Sequence, residues 1–189
     1  ITEESRTRIF HMSTDCVFAG NTGPYTEDSV PDGETIYDRT KAAGELNDSD
    51  NLTFRCSIVG PDTNPSGIGL FNWFMAQNGP IRGYTGAIWT GLTTLELAKA
   101  MEVAAEEDVT GLVNMVPSES ISKFNLLQLF NKYLRGGSVE IEPDERVQLN
   151  KTLVRTNFDS SYRPRNYLKQ IDEMANWIRA HAEFYPHYK

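Results

Sequence analysis

Between residues 8 and 60 the chain alternates in a way that admits few folds. Arg8 to Met12 (RIFHM) is a short apolar run that delivers Ser13, Thr14 and Asp15 at its end. Leu52 to Gly60 (LTFRCSIVG) is a second apolar run, stopped by Gly60 and Pro61. Between them lie a loop dense in Gly, Pro, Asn and Asp and a stretch from about Thr35 to Leu46 whose residues favour a helix. Strand, loop, helix, strand is the pattern of a βαβ unit, and such a unit needs a parallel sheet. Active-site groups of parallel α/β sheets lie beyond the carboxyl ends of the strands. Ser13, Thr14 and Asp15 occupy such an end. A hydroxyl there can donate to a substrate carbonyl; equally, the three polar side chains can satisfy the backbone groups of a turn.

The texture changes after Pro61. PDTNPSGIG is a loop and LFNWFMAQ a short aromatic helix; Thr93 to Glu107 forms an amphipathic helix. GLVNMV reads as a strand, Ile121 to Arg135 as a helix, VEIEP as an alternating exposed strand, and about Tyr167 to Ala182 as a C-terminal helix with Ile171, Met174 and Ile178 at core spacing. The expected organisation is a parallel-sheet piece over residues 1–60 and a mixed α/β remainder over 61–189. The chain opens on Ile1, and ITEESRTRIFHMS reads as the end of a helix entering a buried strand. It is expected to be the C-terminal portion of something longer.

Bulk properties narrow the function. A net charge of −8 argues against a nucleic-acid or anionic-membrane surface, where Lys and Arg would be in excess. No apolar run approaches the roughly 20 residues of a spanning helix. Cytoplasm is the expected setting. Two cysteines, Cys16 and Cys56, make neither a disulfide framework nor a tetrahedral zinc site, and no other cluster points to a metal. The glycosylation patterns at Asn47, Asn51 and Asn150 lack a secretory signal and read as chance. His11 reads as a satisfied core histidine, and the acidic runs at Glu106 to Asp108 and Asp144-Glu145 as solvated helix ends and turns.

Tyr37 and Lys41 stand four residues apart in the helical stretch, so their side chains share one face, a turn apart. A free phenol, with a pKa of about 10, exchanges protons poorly near neutral pH, and a neighbouring ammonium favours its ionised form. The pair is a candidate acid and base. Tyr185 and Lys189 repeat the spacing, but Pro186 and the chain end leave them no stable helix.

Residues 13–45 carry more than a spacing. Ser13-Thr14-Asp15 with Val17, Phe18 and Gly20, then Pro24, Tyr25 and Glu27, then Tyr37, Lys41 and Glu45 follow one another in order. This segment resembles the centre of an extended short-chain dehydrogenase/reductase, and within that class the dTDP-4-dehydrorhamnose reductase branch and its nucleotide-sugar relatives. FRCSIVGP resembles the strand that passes the nicotinamide, and a weaker likeness runs through the rest of the chain.

The resemblance implies an α/β fold: the C-terminal part of a Rossmann-like sheet carrying the dyad, then a small mixed α/β region binding mainly substrate. It implies NADP or NAD as cofactor and a nucleotide-linked 4-keto-6-deoxyhexose as substrate, with a homodimer open. Tyr37 would protonate the C4 oxygen. Lys41 would depress the Tyr37 pKa and hold the nicotinamide ribose, and Thr14, with Ser13 beside it, would hold the carbonyl. Cys56, Ser57, Ile58 and Val59 would line the nicotinamide end, and Asp15 would orient the sugar or cap its loop. Substrate contacts are expected at Asn72, Trp73, Arg82 and Trp89 with Thr90, with Arg82 suited to a diphosphate.

Two departures spare the reacting groups: Cys16 replaces an aromatic, and Asp38 replaces a glycine. The Gly-rich phosphate-binding turn of this class has no counterpart here, since neither Gly136-Gly137-Ser138 nor SGIGL follows a strand in a βαβ unit. It is expected in a further N-terminal part. An epimerase or dehydratase on the same scaffold, and a non-catalytic dinucleotide-binding regulatory subunit, are the alternatives.

Overall fold

A computed structural model describes residues 7–188. The helix end read over the first residues, and Lys189 of the second Tyr-Lys pair, lie outside them. Strand β1 is Phe10–Ser13 and is followed by a 3-10 turn, Asp15–Val17, capped by the Thr14 side chain. Helix α1 is Ile36–Ala43. Its start is set by a capping box: the Asp38 amide donates to the Thr35 hydroxyl at 3.1 Å, and the Thr35 amide donates to the Asp38 carboxylate at 3.1 Å. The departure at Asp38 therefore supplies a cap.

The apolar run at 52–60 is two strands, β2 (Leu52–Arg55) and β3 (Ser57–Val59). Next come α2 (Leu70–Met75), β4 (Ile81–Trp89), β5 (Gly91–Thr93), α3 (Thr94–Glu106) and β6 (Gly111–Asn114). The chain ends in β7 (Ile121–Ser122), α4 (Lys123–Leu134), β8 (Ile141–Asn150) and α5 (Tyr167–Ala180).

Strands β1, β2 and β6 form a parallel sheet with β2 in the middle, so residues 111–114 return to the sheet begun by residues 10–13. Strand β3 leaves that sheet at Cys56 and pairs in parallel with β5. A continuous apolar run signals burial on both faces but not a change of partner, so the break was invisible in sequence. The third sheet places β4 between β7, antiparallel, and β8, parallel. Strand β4 escaped sequence reading because Gly83 and Gly86 look like loop punctuation. Gly83 is there for close approach: a Cβ would sit 2.9 Å from the Phe124 backbone. Likewise VEIEP runs into a ten-residue strand that begins at its Ile141, and Asp144 within that strand is buried and paired with Arg146, not solvated.

Two apolar clusters hold these layers. One gathers Phe18, Leu52, Phe54, Leu92, Ala100, Val113 and Met115 between the parallel strands and α3. The other gathers Phe71, Phe74, Trp89, Leu126, Phe130, Ile171 and Met174 among α2, α4 and α5. Each fully buried phenylalanine contributes roughly 2–3 kcal/mol of transfer free energy. Among the described residues no helix is long and apolar enough to cross a membrane.

Candidate active site

The turn after β1 and the first turn of α1 are brought together by the loop between them. Asp32 and Gly33 amides donate to the Val17 carbonyl at 3.1 and 2.8 Å, and the Ala19 amide donates to the Asp32 carboxylate at 2.7 Å. A Cβ on Gly33 would meet the Asp38 Cβ at 2.5 Å and the Cys16 carbonyl at 2.7 Å, so only glycine lets the helix seat this closely. On the seated helix Tyr37 is 56% exposed, and among the described residues its hydroxyl makes no hydrogen bond. Lys41, one turn on, is half-buried and donates its ammonium to the Met12 carbonyl at the end of β1. The exposed phenol and the anchored ammonium thus stand on the helix that packs on the Thr14 turn.

Thr14 is buried; its hydroxyl accepts from the Cys16 amide at 3.2 Å and donates to the Asp15 carboxylate at 3.3 Å. Asp15 is buried too and accepts from the Ser57 hydroxyl, tying β3 to the turn. Ser13 is turned away: its hydroxyl donates to Glu45 at 2.5 Å. Glu45 in turn takes both arms of the buried Arg55, Nε at 2.8 Å and Nη2 at 2.5 Å. Glu27 accepts from the Asn114 amide at 2.9 Å and the Thr156 amide at 2.8 Å, while Tyr25 stacks on Phe18 at 4.0 Å. The Glu45, Tyr25 and Glu27 of the ordered motif therefore build the frame around the dyad.

Along Cys56 to Val59 only Ile58 presents an exposed side chain, at 50%. Burial pushes the Cys56 thiol up to about 12, with Asp15 adding to the effect. Burial and Lys41 hold the His11 imidazole below its ordinary value, and its Nε2 is buried with no hydrogen-bond partner. The satisfied core histidine expected from sequence is thus not what the fold holds: His11 is only partly buried, and its Nε2 lacks a partner among the described residues.

Farther out, Trp73 and Arg82 line one cavity of about 350 Å³ with Leu70, Tyr84, Lys123 and Leu127. Arg82 is exposed, 3.7 Å from Glu142. Asn72 is committed within the fold: it donates to the Ile68 carbonyl at 2.9 Å and accepts from the Tyr188 hydroxyl. Trp89 is 3% exposed against Tyr167, and the Thr90 hydroxyl accepts from the Leu153 amide at 2.8 Å. Sequence reasoning missed Lys123. Its signal was a lysine opening a helix, against the helix dipole.

No family model matches the chain, and no curated protein does. Solved structures do. A dTDP-4-dehydrorhamnose reductase from Clostridium acetobutylicum superposes with a TM-score of 0.73 at 17% identity, over 94% of this chain and 68% of its own. The reductase of the same description from Bacillus anthracis, solved in complex with NADP, gives 0.77 at 17% identity, over 92% and 66%. The chain has the fold of these reductases. A UDP-N-acetylglucosamine 4-epimerase from Methanobrevibacter ruminantium shares that fold with a TM-score of 0.71 at 21% identity, over 92% and 63%. The chain thus spans about two thirds of the length of the structures it matches. The architecture is α/β with Rossmann-like parallel strands, as the βαβ pattern predicts.

Proposed function

We propose that this chain carries the catalytic portion of a nicotinamide-dependent reductase acting on the 4-keto group of a nucleotide-linked 6-deoxyhexose. One observation carries the reading: an exposed, unbonded tyrosine hydroxyl stands one helical turn from a lysine ammonium anchored at the carboxyl end of β1. That is where this fold places reacting groups.

In this reading Tyr37 hands its proton to the C4 oxygen, and the Lys41 ammonium favours the phenolate left behind. Thr14 redirects its hydroxyl from Asp15 to the substrate oxygen. The long 3.3 Å bond it makes to Asp15 is a weak one to give up. Asp15, held by Ser57, keeps the turn in place.

The residues present fit a nicotinamide nucleotide, NADP or NAD. Ile58 offers an exposed apolar side chain to a flat ring, and Lys41 holds a donor that ribose hydroxyls can take over from a backbone carbonyl. When bound, the cofactor supplies the hydride. Its phosphates need a Gly-rich turn, which residues 1–189 do not contain, so a further segment would complete that side of the cleft. Residues 1–60 would carry the dyad, with residues beyond 60 contributing mainly substrate contacts through Trp73 and Arg82.

The test is NADPH oxidation by the full-length protein with dTDP-4-dehydrorhamnose. Tyr37→Phe should lower turnover by about 10²–10⁴-fold while leaving the melting temperature unchanged, since the ring is exposed. Undiminished turnover in that variant would remove Tyr37 from the mechanism. A 4-epimerase is the second reading, favoured by the likeness to the Methanobrevibacter ruminantium epimerase. Conversion of a UDP-sugar to its C4 epimer without net NADPH consumption would select it.

A further inference from the structure

Lys123 opens helix α4 directly after Ser122, whose hydroxyl caps the helix and whose backbone pairs with Ile88 of β4. Its position is therefore fixed by both a strand and a helix. Three features disfavour an ammonium there. It sits at the positive end of the helix dipole. Partial burial draws its pKa down to about 8, with Asp15 and Cys16 pulling the other way. Among the described residues it makes no hydrogen bond and no ion pair; its close neighbour is the Trp89 ring, with Nζ 4.7 Å from the centroid. A methionine would fill the same space without those costs.

The cavity that Lys123 lines explains the choice. Arg82 and the exposed rings of Trp73 and Tyr84 share it, with Leu70 and Leu127 completing its wall. Lys123 and Arg82 thus bring two cations to one cavity.

We propose that Lys123 is a substrate-binding residue whose ammonium takes an anionic phosphate oxygen of the nucleotide-sugar diphosphate, with Arg82 beside it in the same cavity. The proposal rests on the nucleotide-sugar reading above. A phosphate oxygen supplies a charged acceptor for an ammonium that makes no hydrogen bond among the described residues, and such charge-assisted bonds are the strong ones. Trp73 and Tyr84 then offer their faces to the base or sugar.

The test is calorimetric titration of the purified protein with two probes, dTDP and inorganic pyrophosphate, in wild type, Lys123→Met and Lys123→Arg. The expected result is that Lys123→Met weakens both probes by about tenfold or more, that Lys123→Arg stays within a few-fold of wild type, and that the melting temperature of Lys123→Met is equal or higher. The last readout separates a binding lysine from a structural one. If Lys123→Met binds dTDP as tightly as wild type, the proposal fails while the nucleotide-sugar reading stands. If pyrophosphate binding depends on Lys123 but dTDP adds no affinity over it, the anion site stands and the nucleotide reading fails. Wild type that binds neither probe overturns the proposal.

Discussion

Glu45 and Arg55 form a two-armed ion pair with side chains only 8% and 2% exposed. It joins the end of α1 to the last residue of β2, while Ser13 donates to the same carboxylate. The helix carrying Tyr37 and Lys41 is thereby tied to the parallel sheet by a charge pair that water does not reach.

Removing one member strands the other. Arg55→Met should cost about 3–5 kcal/mol, because the Glu45 carboxylate would stay buried without its partner. Glu45→Met with Arg55→Met should recover most of that loss. Urea denaturation of the two variants measures both, and an Arg55→Met variant as stable as wild type would contradict the geometry.

The capping box makes a second, local prediction. Asp38→Ala removes the acceptor of the Thr35 amide and should cost about 1 kcal/mol. Tyr37 sits in the first helical turn, so fraying there should lower kcat more than it raises KM. Steady-state kinetics beside thermal melting gives the comparison.

Glu96 sets a pH dependence. It is fully buried at the start of α3 and takes the Arg165 amide at 2.8 Å and guanidinium Nε at 2.9 Å. Burial pushes its carboxyl up, but the Arg165 hydrogen bonds outweigh that and hold it below the ordinary glutamate value of 4.5. A carboxyl with a folded pKa below its unfolded one stabilises the fold at pH above the unfolded value. That stability is lost as pH falls through the folded value. Melting temperature should hold down to about pH 5 and fall below it. Glu96→Gln should flatten that decline and cost about 1–3 kcal/mol at pH 7. An unchanged slope would exclude Glu96 as its source.

The two thiols should be unreactive in the folded protein. With the Cys56 pKa pushed up to about 12, the thiolate fraction at pH 8 is about 10⁻⁴. Burial and Asp15 raise the half-buried Cys16 as well. Ellman's reagent should label Cys16 slowly, and Cys56 only in denaturant. Fast labelling of both at pH 8 would contradict the packing around β3.

What the sequence determined by itself was local or periodic. The βαβ order followed from two apolar runs around a helical stretch, because buried strands and helices write their periods into side-chain polarity. The placement of Tyr37 and Lys41 on one face followed from helical geometry alone. Tertiary structure decided everything that depends on which groups meet. It split Leu52 to Gly60 between two sheets, since an apolar run does not name its partner strand. It made Glu45 and Glu27 structural anchors, since a carboxylate's role is set by the donors it meets across the fold. It drew β4 through two glycines that local rules read as loop, because Phe124 and Gln148 press against them. And it left Lys123 without a hydrogen bond or ion pair among the described residues, a fact visible only once α4 and β4 are folded together.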